Sequence, residues 1–324
     1  PAHWGNTALP GERGLMATTA LPNPKKRRFS RIGLRQNILG YLWISPWLIG
    51  FTVFTFGPML ASIGYSFTNY RIVNEYRFVG MENYVTALTN DSLFWPSLGR
   101  TFYFMLISVP IGVIGSLLLA MLLNQRLRGE TIYRTFFFLP TLTPLAAAAI
   151  LWTWLLHPDV GMLNYLLSLI GIDGPAWLAS TTWAMPSIVL ITLWTSIGGG
   201  RMIIFLAGLQ GVPQELYESA AIDGAGEWSK FWNITLPMIS PALFFNLILG
   251  IIGALQVFTT AYITTRGGPG RATWFYALHI YTNAFENFDM GYASALAILL
   301  FIVLLIFTII QLRLSNRWVF YAGG

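Results

Sequence analysis

The chain has 324 residues, 55% of them hydrophobic and only 10% charged, against roughly 25% charged in soluble domains. So few charges cannot cover a water-facing surface, and a mean hydropathy of +0.59 assigns the chain to a bilayer. Cysteine is absent, which excludes disulfides, thiolate metal sites and cysteine nucleophiles; the net charge of +6 reads as membrane topology, not as nucleic-acid binding.

Residues 1–37 are polar, rich in Pro, Gly and Thr, and carry Lys25-Lys26-Arg27-Arg28, Arg31 and Arg35. They read as a basic tail, disordered to about residue 28, with a short basic helix over 29–37 on anionic headgroups. The first residue is Pro1, and Met16 offers an alternative start. Six apolar runs follow, at 39–67, 101–124, 135–157, 183–208, 239–263 and 291–312. Each is near the ~20 residues a helix needs to cross the hydrocarbon core. The first is too long for a signal-peptide core of about 7–15 residues. Thirteen Trp, 14 Tyr and 23 Phe suit interfacial belts. Two runs are interrupted, one by Pro140 and Pro144, the other by Gly198-Gly199-Gly200. Broken helices survive in a bilayer where the freed backbone faces protein or a cavity.

Lys and Arg set the orientation. With the N-terminus inside, the inner segments hold 13 basic residues, including Arg126, Arg128, Arg134, Lys230, Arg313 and Arg317, and the outer loops hold five. The asymmetry predicts an all-α integral membrane protein with six transmembrane helices and both termini cytoplasmic. Its parts are the tail 1–37, a membrane domain 38–315 and a second cytoplasmic tail 316–324. The inner loop 209–238 is the exception, with Lys230 against Glu215, Glu218, Asp223 and Glu227. Pro213 suits a first helical turn there, and Gly224 and Gly226 permit a sharp turn. A second short helix is expected from Glu227, ending before Pro237. Ser219, Ala220 and Ala221 give the first helix a thin face that another backbone can approach closely.

This loop carries a resemblance. Glu218, Ser219, Ala220, then Gly224, then Ile234 and Leu236-Pro237 match the pattern Glu-Ala-Ala, three residues, Gly, nine residues, Ile, any residue, Leu-Pro, with Ser219 for Ala as the single departure. The segment resembles the coupling loop of membrane subunits of binding-protein-dependent ABC importers. The run 206–210 before Pro213, Gly267-Gly268-Pro269 with Thr273, Phe285 with residues 291–295, and Tyr41-Leu42 with Pro46, Pro58 and Ser66-Phe67 resemble sugar permeases of the maltose and glycerol-3-phosphate type. The resemblance spans about residues 38–315. It implies the type I importer permease fold, and a loop (Glu218, Ser219, Ala220, Ala221, Asp223, Gly224, Ile234, Leu236 and Pro237) that seats in a groove of an ATPase subunit. It also implies a second homologous permease subunit, two ABC ATPases, an extracytoplasmic solute-binding protein and a bacterial or archaeal cytoplasmic membrane. Sugar import is the function implied. A permease for glycerol-3-phosphate or another polyol is the nearer alternative, and a non-transport scaffold the distant one.

Similarity to sugar permeases maps the substrate path onto Thr141, Thr143, Thr195, Ser196 and Gly199. Gln256, Thr259 and Thr260 are the polar positions nearest the corresponding later region. The alternative for any of these hydroxyls is a bond to its own helix carbonyl. Arg201 lies within the fourth run, where an Arg costs about 2.5–3.5 kcal/mol on insertion scales. It reads as a residue facing the bundle interior or snorkelling inward, as a ligand for an anionic substrate, or as a salt-bridge partner of the second permease. Trp194 and Asn246 read as packing first and substrate contact second. No Gly-x-x-x-x-Gly-Lys-Ser/Thr loop occurs, so ATP and Mg belong to the partner ATPase and no cofactor is expected on this chain. His3, His157 and His279 are scattered, which argues against a metal or catalytic site.

Overall fold

A computed structural model describes residues 31–71, 77–125 and 129–320, with 31–37 described as backbone only. The cluster Lys25–Arg28, Met16, Arg126 and Arg128 therefore lie outside the described residues. The chain divides into two compact units, 1–58 and 59–324.

In the first unit, α1 (Arg31–Phe51) runs into a π turn over Thr52–Phe56. Of the expected separate helix over 29–37, the described residues 31–37 are instead the start of this continuous helix, since no proline intervenes before the apolar run. Trp47 and Phe51 stack at 5.4 Å. Trp43 is 80% exposed and Phe54 81%, which suits a helix surrounded by lipid tails or another apolar helix.

α2 (Gly57–Tyr65) leads into the second unit, which holds α3 (Glu82–Val85), α4 (Phe94–Leu123), α5 (Glu130–Leu142) and α6 (Leu145–Leu155). α7 (Met162–Leu169), α8 (Ala184–Ser196) and α9 (Gly200–Gln210) follow. Among the described residues, four helices are long and apolar enough to cross a membrane: Ile38–Tyr65, Phe94–Leu123, Ser240–Thr264 and Met290–Ser315. Counting α5 with α6 and α8 with α9 as bent single spans gives six. α4 begins at Phe94, earlier than the apolar run, because Pro96 is tolerated in a first turn and the Asp91 carboxylate accepts from the Leu93 N–H at 2.7 Å.

α4 is the centre of the second unit. Ser97, Thr101, Ser108, Gly112, Ser116 and Ala120 form a buried stripe of small residues at spacings of four or seven. Lipid supplies no hydrophobic drive between helices, so close backbone approach must supply dispersion contact. α8 and α9 pack against this stripe, as does α13 (Ser240–Leu255).

Each bend follows from its sequence. Thr143 precedes Pro144, whose ring pushes the preceding residue out of the helical region; Thr143 is extended, at φ −72° and ψ 126°, and α5 meets α6 at 94°. α8 and α9 meet at 49° across Ile197–Gly199. A Cβ on Gly198 would overlap the Phe137 carbonyl, and one on Gly199 the Thr141 hydroxyl. The Thr141 hydroxyl donates to the Thr195 carbonyl at 3.0 Å, one of the last four carbonyls of α8 that lack a helical partner.

Gly198→Ala should therefore destabilise the protein by about 1–3 kcal/mol, the usual range for overpacking, and lower its melting temperature in detergent. Gly200→Ala, where an added methyl meets nothing within 4 Å, should be neutral or slightly stabilising by helix propensity. Equal melting temperatures for the two variants would contradict the packing described.

Candidate transport site and coupling segment

The breaks enclose a cavity of about 270 Å³. Its wall is built from Ser108 of α4, Thr192, Thr195 and Ser196 of α8, Arg201 of α9, Gly250 of α13, and the segment from Gln256 to Thr260. That last segment includes the start of α14 (Thr259–Thr264). Six sequence-predicted positions, Thr195, Ser196, Arg201, Gln256, Thr259 and Thr260, share this wall. Thr141, Thr143 and Gly199 do not line it. The Thr141 hydroxyl is held by Thr195, Thr143 caps α5, and Gly199 abuts Thr141.

The wall divides by hydrogen bonding. The hydroxyls of Thr192 and Thr195 bond back to their own helix, to Ile188 and Thr192 carbonyls at 2.9 Å each, which leaves little donor capacity for a solute. Ser196 Oγ is buried and has no partner among the described residues. Phe258 adds an aromatic face, stacked on Tyr262 at 5.2 Å and tilted on Tyr281 at 4.9 Å. Sequence reasoning missed Ser108, Thr192 and Phe258. Ser108 was detectable, because it falls on the small-residue stripe of the second run. Trp194 faces elsewhere: it makes an edge-to-face pair with Trp152 at 5.7 Å in an apolar recess beside Pro140. Asn246 is fully buried on α13, and neither amide atom has a partner among the described residues.

The candidate coupling segment is α10 (Gln214–Ile222), then α11 (Glu227–Lys230), a π turn over Phe231–Thr235 and α12 (Leu236–Met238). Pro213 is the N-cap of α10, one place before the first turn. After α10 the Ala225 N–H donates to the Ala220 carbonyl at 2.8 Å and the Gly224 N–H to the Ala221 carbonyl at 3.1 Å. This is a Schellman turn, and Gly224 at φ +77° supplies its left-handed residue. Glu218, Ser219, Ala221, Asp223 and Gly224 are exposed, Ala220, Ile234, Leu236 and Pro237 are half-buried, and Ile222 is 87% exposed. Tyr217 and Thr235 hydroxyls bond at 2.9 Å and tie α10 to the π turn. The expected stop before Pro237 does not occur; the chain stays helical through it. The preceding π turn, in which the Leu236 N–H bonds the Phe231 carbonyl, widens the helix where a proline ring would otherwise crowd it. The same device precedes Pro58, at Thr52–Phe56.

A third cluster joins the loop after α3 to α15 (Tyr276–Tyr281) and α16 (Met290–Ser315). Asp91 Oδ2 accepts from Tyr292 Oη at 2.5 Å and from His279 Nε2 at 2.7 Å. Trp274 Nε1 donates to His279 Nδ1 at 3.4 Å, which fixes the Nε2–H tautomer. His279 is buried and serves this network. Burial opposes the charge on Asp91, but hydrogen bonds from Tyr292, the Leu93 N–H and His279 outweigh it and hold the carboxyl below its ordinary value.

Residues 94–320 match the family described as binding-protein-dependent transport system inner membrane component. The chain belongs to this family. It is an ABC importer permease, a multi-pass membrane subunit. The permease is 39% identical to a probable ABC transporter permease of Bacillus subtilis, over 92% of this chain and 96% of that one. It is 36% identical to the trehalose/maltose transport permease of Thermococcus litoralis, over 89% and 97%. Its fold matches a chain of a bacterial alginate ABC transporter, solved with an alginate pentasaccharide-bound periplasmic protein, at a TM-score of 0.78 and 25% identity over 88% and 96%.

Asp91 makes an acid-dependent contribution to the stability of this permease. Its carboxyl is depressed in the folded state, so the contribution is complete above the ordinary value of 3.8 and is lost as pH falls through the lower folded value. The melting-temperature gap between wild type and Asp91→Asn should hold from neutral pH to about pH 4 and narrow below it. A gap independent of pH would contradict the charge-based network.

Proposed function

We propose that this permease is one half of a heterodimeric importer core that moves a sugar across a bacterial or archaeal cytoplasmic membrane. It crosses six times, with both termini and the 209–238 loop inside. The domain boundaries are 1–37, 38–315 and 316–324. An extracytoplasmic binding protein delivers the solute, and two ABC ATPases carry ATP and Mg. The observation that carries this reading is the exposed α10, set by its Schellman turn to present Glu218, Ser219, Ile222 and Asp223 together. A helix fixed at both ends transmits a push; a loose loop does not.

The sugar class rests on two supports: the trehalose/maltose relative, and a cavity wall of hydroxyl, amide and aromatic groups that suits a polyhydroxyl solute. Lining positions Thr195, Ser196, Gln256, Thr259 and Thr260 are the substrate contacts in this reading. Thr141, Thr143 and Gly199 keep the broken helices together around them. A glycerol-3-phosphate or other polyol phosphate is favoured by one observation, Arg201 in the wall.

Glu218→Arg and Gly224→Arg should leave membrane insertion intact and cut ATP-driven uptake in reconstituted vesicles at least about tenfold, the scale of a misplaced charge at an interface. Normal ATP-driven uptake by either variant would sink the coupling role of α10.

A further inference from the structure

Arg201 is the one cationic side chain in the cavity wall, and the helices make room for it. Its guanidinium lies between two glycines on different helices. A Cβ on Gly112 would come within 2.6 Å of Nη1, and one on Gly250 within 3.2 Å of Nη2. α4 and α13 are thus notched at the positions where the fork passes. No carboxylate meets it: none of the lining residues is Asp or Glu, and none of the ion pairs among the described residues includes Arg201. No side-chain hydrogen bond of Arg201 occurs among the described residues either. The sequence offers no counterion within the membrane, since no Asp or Glu falls in any of the six apolar runs.

A guanidinium in a membrane protein interior without a counterion is costly. A neutral sugar does not need it: hydroxyls are satisfied by the hydroxyl and amide groups of the wall. A planar fork of donors matches an anionic oxygen pair. Beside it the buried Ser196 Oγ has no partner among the described residues and is a further donor at the same wall. Gln256 and Thr259 carry no side-chain hydrogen bond among the described residues and line the remainder. At about 270 Å³ the cavity lies just below the ~300–1,000 Å³ of ordinary ligand pockets, room for the charged end of a solute.

Taking the sugar-importer reading as given, we propose that the transported solute carries an anionic substituent (a carboxylate, sulfonate or phosphate) and that Arg201 is the residue that receives it during passage. Gly112 and Gly250 hold the guanidinium in place, and Ser196 donates alongside it. The solute thereby brings the missing counter-charge into the membrane with it.

The test uses the whole transporter, with both permeases, the ATPases and the binding protein, in proteoliposomes. The probes are a disaccharide ending in a uronic acid and the methyl ester of the same disaccharide. Wild type should take up the acid. Arg201→Gln should lower acid uptake about tenfold or more, Arg201→Lys should retain an intermediate rate, and uptake of the ester should be the same in all three. Preserved ester uptake also shows that the variants fold. If Arg201→Gln lowers both solutes alike and releases the second permease on purification, the arginine is an intersubunit salt bridge and the proposal is overturned. Wild type that takes up the ester but not the acid, or acid uptake untouched by Arg201→Gln, overturns it too while leaving the sugar-importer reading in place. Uptake of neither solute by wild type overturns that reading and this proposal together.

Discussion

A carbonyl freed from its helix inside a bilayer can bond only to protein, and most of this architecture follows from that constraint. Four of the helices in two of the spans exist because the chain breaks within the membrane, at Thr143–Pro144 and at Ile197–Gly199. Hydrocarbon offers no hydrogen bond, so each break must be covered. The cover is reciprocal. α5 lays the Phe137 carbonyl against Gly198 and gives the Thr141 hydroxyl to the Thr195 carbonyl. The two broken spans therefore hold each other, and neither break would be tolerable alone.

The same constraint locates the cavity. A third interruption, at Gln256–Phe258 between α13 and α14, faces the end of α8 across the pocket. Polar side chains from α4, α8, α9 and the Gln256–Thr260 segment converge with irregular backbone where protein encloses them. α4 makes this enclosure possible, since only a helix with a stripe of Ser, Thr, Gly and Ala lets three others come close enough to seal the wall. Gly112 serves twice, as part of that stripe and as the notch for Arg201.

Much of this was legible in the sequence because hydropathy and punctuation are local. The six apolar runs, the Pro144 and Gly198–Gly200 breaks and the Gly224 turn each depend on residues within a turn or two of one another. What was not legible depends on distant residues. Asp91, His279 and Tyr292 are far apart in sequence, and nothing in their spacing says that one carboxylate oxygen holds both partners. Thr141 looked like a pathway hydroxyl until the α8 carbonyl that it caps came into view. The π turns before Pro58 and Pro237 escaped for another reason. Pro237 alone was read as a stop, and at both prolines a widened turn lets the helix continue.

Arg201 and the proposed coupling segment lie at opposite ends of one element. α9 is an unbroken helix of 11 residues, about 16 Å long at 1.5 Å per residue. Arg201 is in its first turn, and Gly211, Val212 and Pro213 connect its last turn to α10. A displacement of α10 reaches the cavity through this helix, and its far end is the glycine break, where least regular backbone resists movement. The Arg201 guanidinium is seated against α4 and α13, which are separate helices, so any shift of α9 must draw it along or out of the Gly112 and Gly250 notches. Either changes where the positive charge stands relative to Ser196 and Gln256. In the proposed function, that geometry would give energetic coupling what it requires: a solute affinity that differs between two positions of the same helix. An anionic solute would feel that difference most, because its strongest contact is with the one side chain that α9 itself carries into the cavity.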